Sequence, residues 1–141
     1  MSIAWLDVLF EGMASETTGT ALFEQLGLEP DAGFEARHSW PGHHPATIVF
    51  LEVRLDPLKE PHASHTEFWA RVEEGFKRAA DWLLSRPVAP FEAWRAAGRE
   101  LRVFICWKID DEDPELDLTL PAEFLSACGR VGVPIELYTN E

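Results

Sequence analysis

From residue 3 to residue 10 the chain alternates. Leu6, Val8 and Phe10 share one face and Trp5 lies on the other, which is the period of a β-strand, and Gly12 ends it. Ser15 then stands where a helix N-cap is wanted, with Glu16 and Thr18 in the first turn. Ala21, Leu22, Gln25 and Leu26 continue a short helix that Gly27 and Pro30 close. Residues 31–45 read as a loop punctuated by Gly33, Pro41, Gly42 and Pro45. Residues 47–55 form a strand in which Ile48 and Phe50 fill one face and Val49, Leu51 and Val53 the other, the pattern of a central strand.

The period then changes. Between residues 66 and 85, Phe68, Val72, Phe76, Ala79 and Leu83 recur at helical spacing, and Trp69, Ala80 and Leu84 widen the stripe. Pro87 and Pro90 stop this helix, and a shorter one over residues 91–97 ends at Gly98. The two are expected to form a hairpin on which Trp82 and Trp94 pack. Residues 101–109 alternate again, with Leu101, Val103, Ile105, Trp107 and Ile109 on one face and Arg102, Phe104, Cys106 and Lys108 on the other. Residues 116–120 read as a short strand or extended arm. Pro121 opens a helix whose buried side is Phe124, Leu125, Cys128 and Val131, and residues 133–138 form a last strand.

This order describes a single α/β (α+β) domain over residues 1–141. The expected architecture is a mixed four- to five-stranded sheet with helices mainly on one face. Its order is expected to be ferredoxin-like, with the helical hairpin as an insertion.

Composition agrees with a folded domain: 141 residues, 46% hydrophobic and 26% charged, enough to bury a core without a metal or disulfide staple. The start of the chain lacks a positive n-region, and no apolar run approaches the ~18 residues of a membrane span. A cytoplasmic protein without membrane contact is expected. Cys106 and Cys128 form no CxxC pair and read as two buried free thiols.

Charge changes the picture most. The formal charge is −13, which argues against direct nucleic-acid binding. It is also segregated: residues 1–36 carry −7, residues 37–109 carry +2 and residues 110–141 carry −8. Should the two acidic ends become neighbours in a sheet, they would make one negative surface, suited to steering a basic partner. The most acidic point is Asp110-Asp111-Glu112-Asp113-Pro114-Glu115, followed by Asp117. It has no glycine for a calcium-loop turn, so a solvated docking loop is the simpler reading. The candidate partner-binding residues are therefore Asp110, Asp111, Glu112, Asp113 and Glu115, with Trp40 and Trp5 as aromatic anchors.

No GxSxG elbow, P-loop or GxGxxG run is present, and no catalytic residue or cofactor is assigned. All five histidines, His38, His43, His44, His62 and His65, fall between residues 38 and 65. They make a metal-dependent enzyme the alternative reading, although no HExxH-like motif supports it. An accessory subunit of a larger assembly is a third.

Four segments carry a resemblance. They are Leu26-Gly27-Leu28-Glu29-Pro30, the strand from Glu100-Leu101 to Ile109, Leu118-Thr119-Leu120-Pro121 leading into Phe124-Leu125, and Ile135-Glu136-Leu137-Tyr138. In these the chain is similar to a bacterial family of small acidic α/β proteins of unknown function, and resembles immunity proteins that neutralise interbacterial toxins. The resemblance covers both ends of the chain and little of residues 31–65. It implies a non-catalytic inhibitor that occludes a cognate toxin domain, itself expected to be basic, and it carries over no catalytic residues.

Overall fold

The computed structural model describes residues 3–12, 34–37, 46–54, 65–109 and 118–140. Five strands and three helices follow in the order β1 (Ile3–Gly12), β2 (Glu35–Arg37), β3 (Ala46–Arg54), α1 (His65–Leu84), α2 (Ala89–Ala96), β4 (Leu101–Ile109), α3 (Ala122–Val131) and β5 (Ile135–Asn140). The sheet order is β2-β3-β1-β4-β5, with β4 and β5 parallel and every other pair antiparallel. The expected mixed sheet and α+β class hold. The ferredoxin-like order does not follow, because β1 pairs antiparallel with both neighbours, whereas a split βαβ core needs it parallel to one.

The core lies on one face of the sheet. Leu6, Val8 and Phe10 of β1, Ile48, Phe50 and Val53 of β3, and Leu101, Val103 and Ile105 of β4 meet Phe68, Val72, Phe76, Phe91, Trp94 and Phe124 from the helices. Each such side chain contributes about 1.5–3 kcal/mol by leaving water. Aromatic edges lock the layers: Phe76 and Phe124 stand 4.8 Å apart between α1 and α3, and Trp82 meets Phe50 at 5.5 Å and Phe34 at 5.6 Å.

Several expectations are corrected by how these residues pack. β3 reads as apolar on both faces, yet the pairing with β1 shifts register between Val8 and Leu9, so that Val8 opposes Leu51 and Leu9 opposes Val49. Phe50 is the extra residue of a β-bulge, and the bulge returns Leu51 and Val53 to the core face beside Ile48. The supposed loop 31–45 contains β2, three residues too short to show a period, which forms by pairing with the edge of β3. Phe34 just before it is buried.

The helix that α1 packs on is α3 rather than α2. Trp82 finds its place on Phe34 and Phe50, while Trp94 is buried and donates from Nε1 to the Glu100 carbonyl at 3.2 Å. On α3 the buried stripe is Phe124, Ala127, Cys128 and Val131, and Leu125 is 45% exposed. Leu125 lies about 100° around the helix from the stripe that the 3-and-4 spacing selects.

Helix ends are fixed by backbone and arginine. α3 ends in a Schellman turn: Val133 N–H donates to the Cys128 carbonyl at 2.9 Å and Gly132 N–H to the Gly129 carbonyl at 3.1 Å, with Gly132 at φ 71°. α2 ends the same way around Gly98. Arg130 of α3 donates to the carbonyls of Leu83 and Arg86, covering the C-terminal end of α1 where a cation is favoured.

Candidate functional site

The three described helices all contribute to the core on the Leu6 face. The second face is built from the alternate residues of each strand. Its register sets Glu35, Val49, Leu9, Phe104 and Glu136 in one row across all five strands. Glu52, Asp7, Cys106 and Tyr138 make the next row. Val49, Leu9 and Phe104 thus make an apolar centre, and the positions around it carry both signs: Glu35, Glu52, Asp7, Glu11 and Glu136 with Arg37, Arg54, Arg102 and Lys108. Phe104 stacks on Tyr138 with ring centroids 6.0 Å apart, and the Arg102 guanidinium lies 4.7 Å over the Phe104 ring. Toward the Gly12 end this face is closed, with Thr47, Val49 and Glu11 buried, whereas Glu35, Glu52, Glu136 and Tyr138 are exposed.

The acidic ends of the chain do meet in the sheet, but across a strand rather than directly: β1 and β5 flank β4. Between them Arg102 donates to Glu11 and Glu136, neutralising one acid from each end. Among the described residues the acids of the two ends are therefore separated by a cation.

Of the sequence-predicted binding residues, Asp110, Asp111, Glu112, Asp113, Glu115 and Trp40 lie outside the described residues. Trp5 is half-buried on the second face, with Arg54 and Lys108 as its opposite numbers on β3 and β4. β4 ends at Ile109, level with Ile3, so the acidic run leaves the sheet at the Trp5 end.

The histidines divide. His38, His43, His44 and His62 lie outside the described residues, and His65 opens α1. Gly75 of α1 backs onto Leu51, and Trp82 lies on Phe50, so α1 runs antiparallel to β3 and begins at the Arg54 end. Arg37 and Ala46, which bracket His38, His43 and His44, stand at the opposite end of the sheet. Among the described residues no three His, Cys, Asp or Glu side chains are grouped to hold a metal ion.

Of the two thiols expected to be buried and outside any disulfide, Cys128 is buried as expected and Cys106 only half-buried. Cys128 is buried in the core, and burial pushes its thiol up to about 12, which makes it a poor nucleophile. Cys106 is half-buried on the second face, and neither cysteine is in a disulfide.

A cleft of about 610 Å³ opens between the ends of α2 and α3, lined by Arg95, Arg99, Arg102, Glu100 and Glu136 among others. Its arginines have structural duties. Arg95 donates to the Val131 carbonyl at the end of α3, Arg102 holds its two glutamates, and Arg99 lies 5.0 Å over the Trp94 ring. Cations at helix C-termini need no ligand to explain them.

Compared with protein-family models, curated proteins and solved structures, the chain matches none. The likeness to immunity proteins rests on the sequence segments alone. Sequence reading missed the stacking of exposed Tyr138 on half-buried Phe104. The only signal was the mixed face of β4, which takes on meaning once Tyr138 is known to lie beside it. No helix among the described residues is long and apolar enough to cross a membrane.

Proposed function

We propose that the protein is a non-catalytic, acidic binding protein of the immunity type, acting in the cytoplasm by occluding a basic toxin domain. The observation that carries this reading is the charge layout. The chain holds −7 in residues 1–36 and −8 in residues 110–141, and the fold brings strands from both segments to either side of β4. Trp5 lies at the end of the sheet where β4 finishes at Ile109, and Asp110 to Glu115 follow Ile109 in the sequence. Trp40 follows β2, whose last residue stands at the other end, and takes the lesser part. Complementary charge of this kind raises association rates by roughly 10–1,000-fold at low salt.

Coproduction with the product of the neighbouring gene, expected to be a basic toxin domain, tests the reading. A stoichiometric complex that abolishes the toxin's activity, and weakens as salt rises, is expected. Absence of a complex, or full toxin activity within it, overturns the proposal.

A further inference from the structure

The most exposed large apolar side chains described are Leu137, at 56%, and its neighbour Tyr138, at 53%. Both belong to β5, the last strand in the sheet order and an edge among the described residues. Which of its backbone groups face outward follows from one bond and the register. Val103 N–H donates to the Pro134 carbonyl at 2.9 Å, and Phe104 pairs with Glu136 in a parallel ladder. In such a ladder alternate residues turn both backbone groups toward the partner. Pro134, Glu136 and Tyr138 thus face β4, and Ile135, Leu137 and Thr139 turn their N–H and C=O groups outward. Among the described residues nothing pairs with that outward row.

Edge strands that must stay single are usually blunted by proline, lysine or a bulge. Ile135–Asn140 holds none of these. Its two faces are chemically distinct. Ile135 and Leu137 continue the core face, while Glu136 and the stacked Tyr138 continue the second face.

We propose that β5 takes an incoming strand from a basic partner by β-sheet extension. The occupant is an extended segment with apolar side chains on one face and Lys or Arg on the other. The apolar face would lie beside Leu137. The cations would meet the exposed Tyr138 ring, where a cation is attracted to the π-face, and would share the Glu136 carboxylate with Arg102, which already holds it. A second copy of this chain is the wrong occupant, because each copy carries −13 and the two would repel. The inference rests on the reading of the protein as a binder of basic partners, and supplies the mode of contact.

The test uses the full chain and an end-capped eight-residue peptide alternating valine and lysine, with a valine–glutamate peptide for comparison. Backbone hydrogen exchange at Ile135, Leu137 and Thr139 is the readout. Slowing of at least tenfold by the lysine peptide, and little by the glutamate peptide, is expected. Leu137→Pro removes one outward N–H without touching the ladder to β4, and should abolish the protection. Leu137→Lys, which keeps the backbone intact and adds a gatekeeper charge, should weaken binding about tenfold or more. Unchanged exchange at all three amides overturns the inference, as does equal binding to both variants or dimerisation through β5. The two readings fail separately. A basic toxin domain that binds wild type and Leu137→Pro equally leaves the acidic-binder reading standing and removes strand addition. Peptide addition to β5 without any toxin complex does the reverse.

Discussion

Arg102 holds Glu11 through Nε and Nη2, each 3.1 Å from the same carboxylate oxygen, and so ties β4 to β1 on the second face. Glu11 is only 5% exposed, and Nη1 of the same arginine reaches Glu136 on β5 at 2.5 Å. One side chain thus crosses three strands. Arg102→Met leaves a buried carboxylate without its cation and should cost about 2–4 kcal/mol in urea unfolding. The double variant Glu11→Gln with Arg102→Met should cost less than the sum of the single changes. Additive losses would show that the pair does not interact.

Gly132 and Gly98 both adopt positive φ, but their surroundings differ. A Cβ on Gly132 would come within 2.8 Å of the Arg95 guanidinium, whereas one on Gly98 meets nothing within 4 Å. Gly98→Ala should lose about 1 kcal/mol from backbone strain alone. Gly132→Ala should lose more, about 2 kcal/mol, because Arg95 is also pushed off the Val131 carbonyl. Thermal unfolding of the two variants side by side reads the difference.

The two thiols should separate cleanly under alkylation. Cys106 is half-buried on the second face, and Cys128 is sealed under α3 with its thiol raised to about 12. In native protein at pH 8, iodoacetamide should modify Cys106 first and leave Cys128 untouched until unfolding. The unfolded chain ionises Cys128 near the ordinary value of about 8.5. Below that pH both states keep the proton, and the stabilising preference for the neutral thiol is fully present. Above it the unfolded state loses its proton first, so this stability falls as pH rises toward about 12. Cys128→Ala should flatten that alkaline decline while lowering stability at neutral pH by opening a cavity.

Neutralising Asp111, Glu112 and Asp113 to Asn and Gln should change folding stability by no more than about 0.5 kcal/mol, since like charges are being removed. Association with a basic partner should slow, and the remaining rate should depend less on salt than in the wild type. Stopped-flow association across a salt series checks both. An association rate flat with salt in the wild type removes the steering argument.

Strand and helix periods were legible wherever a segment keeps one phase. β1, β4 and α1 follow directly from Leu6-Val8-Phe10, Leu101-Val103-Ile105 and the Phe68-Val72-Phe76 stripe. β3 misleads because a bulge at Phe50 changes phase inside the strand, and one continuous apolar run cannot reveal where. Leu125 misleads because adjacent Phe124 and Leu125 compete for one stripe, and the position of Ala127 decides between them. The candidate surface is harder still. The acid excess at both ends can be counted, but whether those acids stay unpaired depends on register. Only pairing across 91 positions brings Arg102 to Glu11. The same register sets Trp5 opposite Arg54 on β3 and Lys108 on β4, a pairing that no local sequence pattern reveals.

The position of β1 at the centre of the sheet also has a consequence for how the chain is made. β1 leaves the ribosome first, and β3 can cover one of its edges after some forty residues more. The other edge waits for β4, which begins at Leu101. At ~5–20 residues per second, roughly 5–20 s pass between the end of β1 and the arrival of that partner. Throughout that interval the sheet's middle strand is an edge, with Leu6, Val8 and Phe10 exposed to whatever strand comes near. Translation speed over residues 55–100, rather than the stability of the finished fold, then sets how long this chain is open to mispairing.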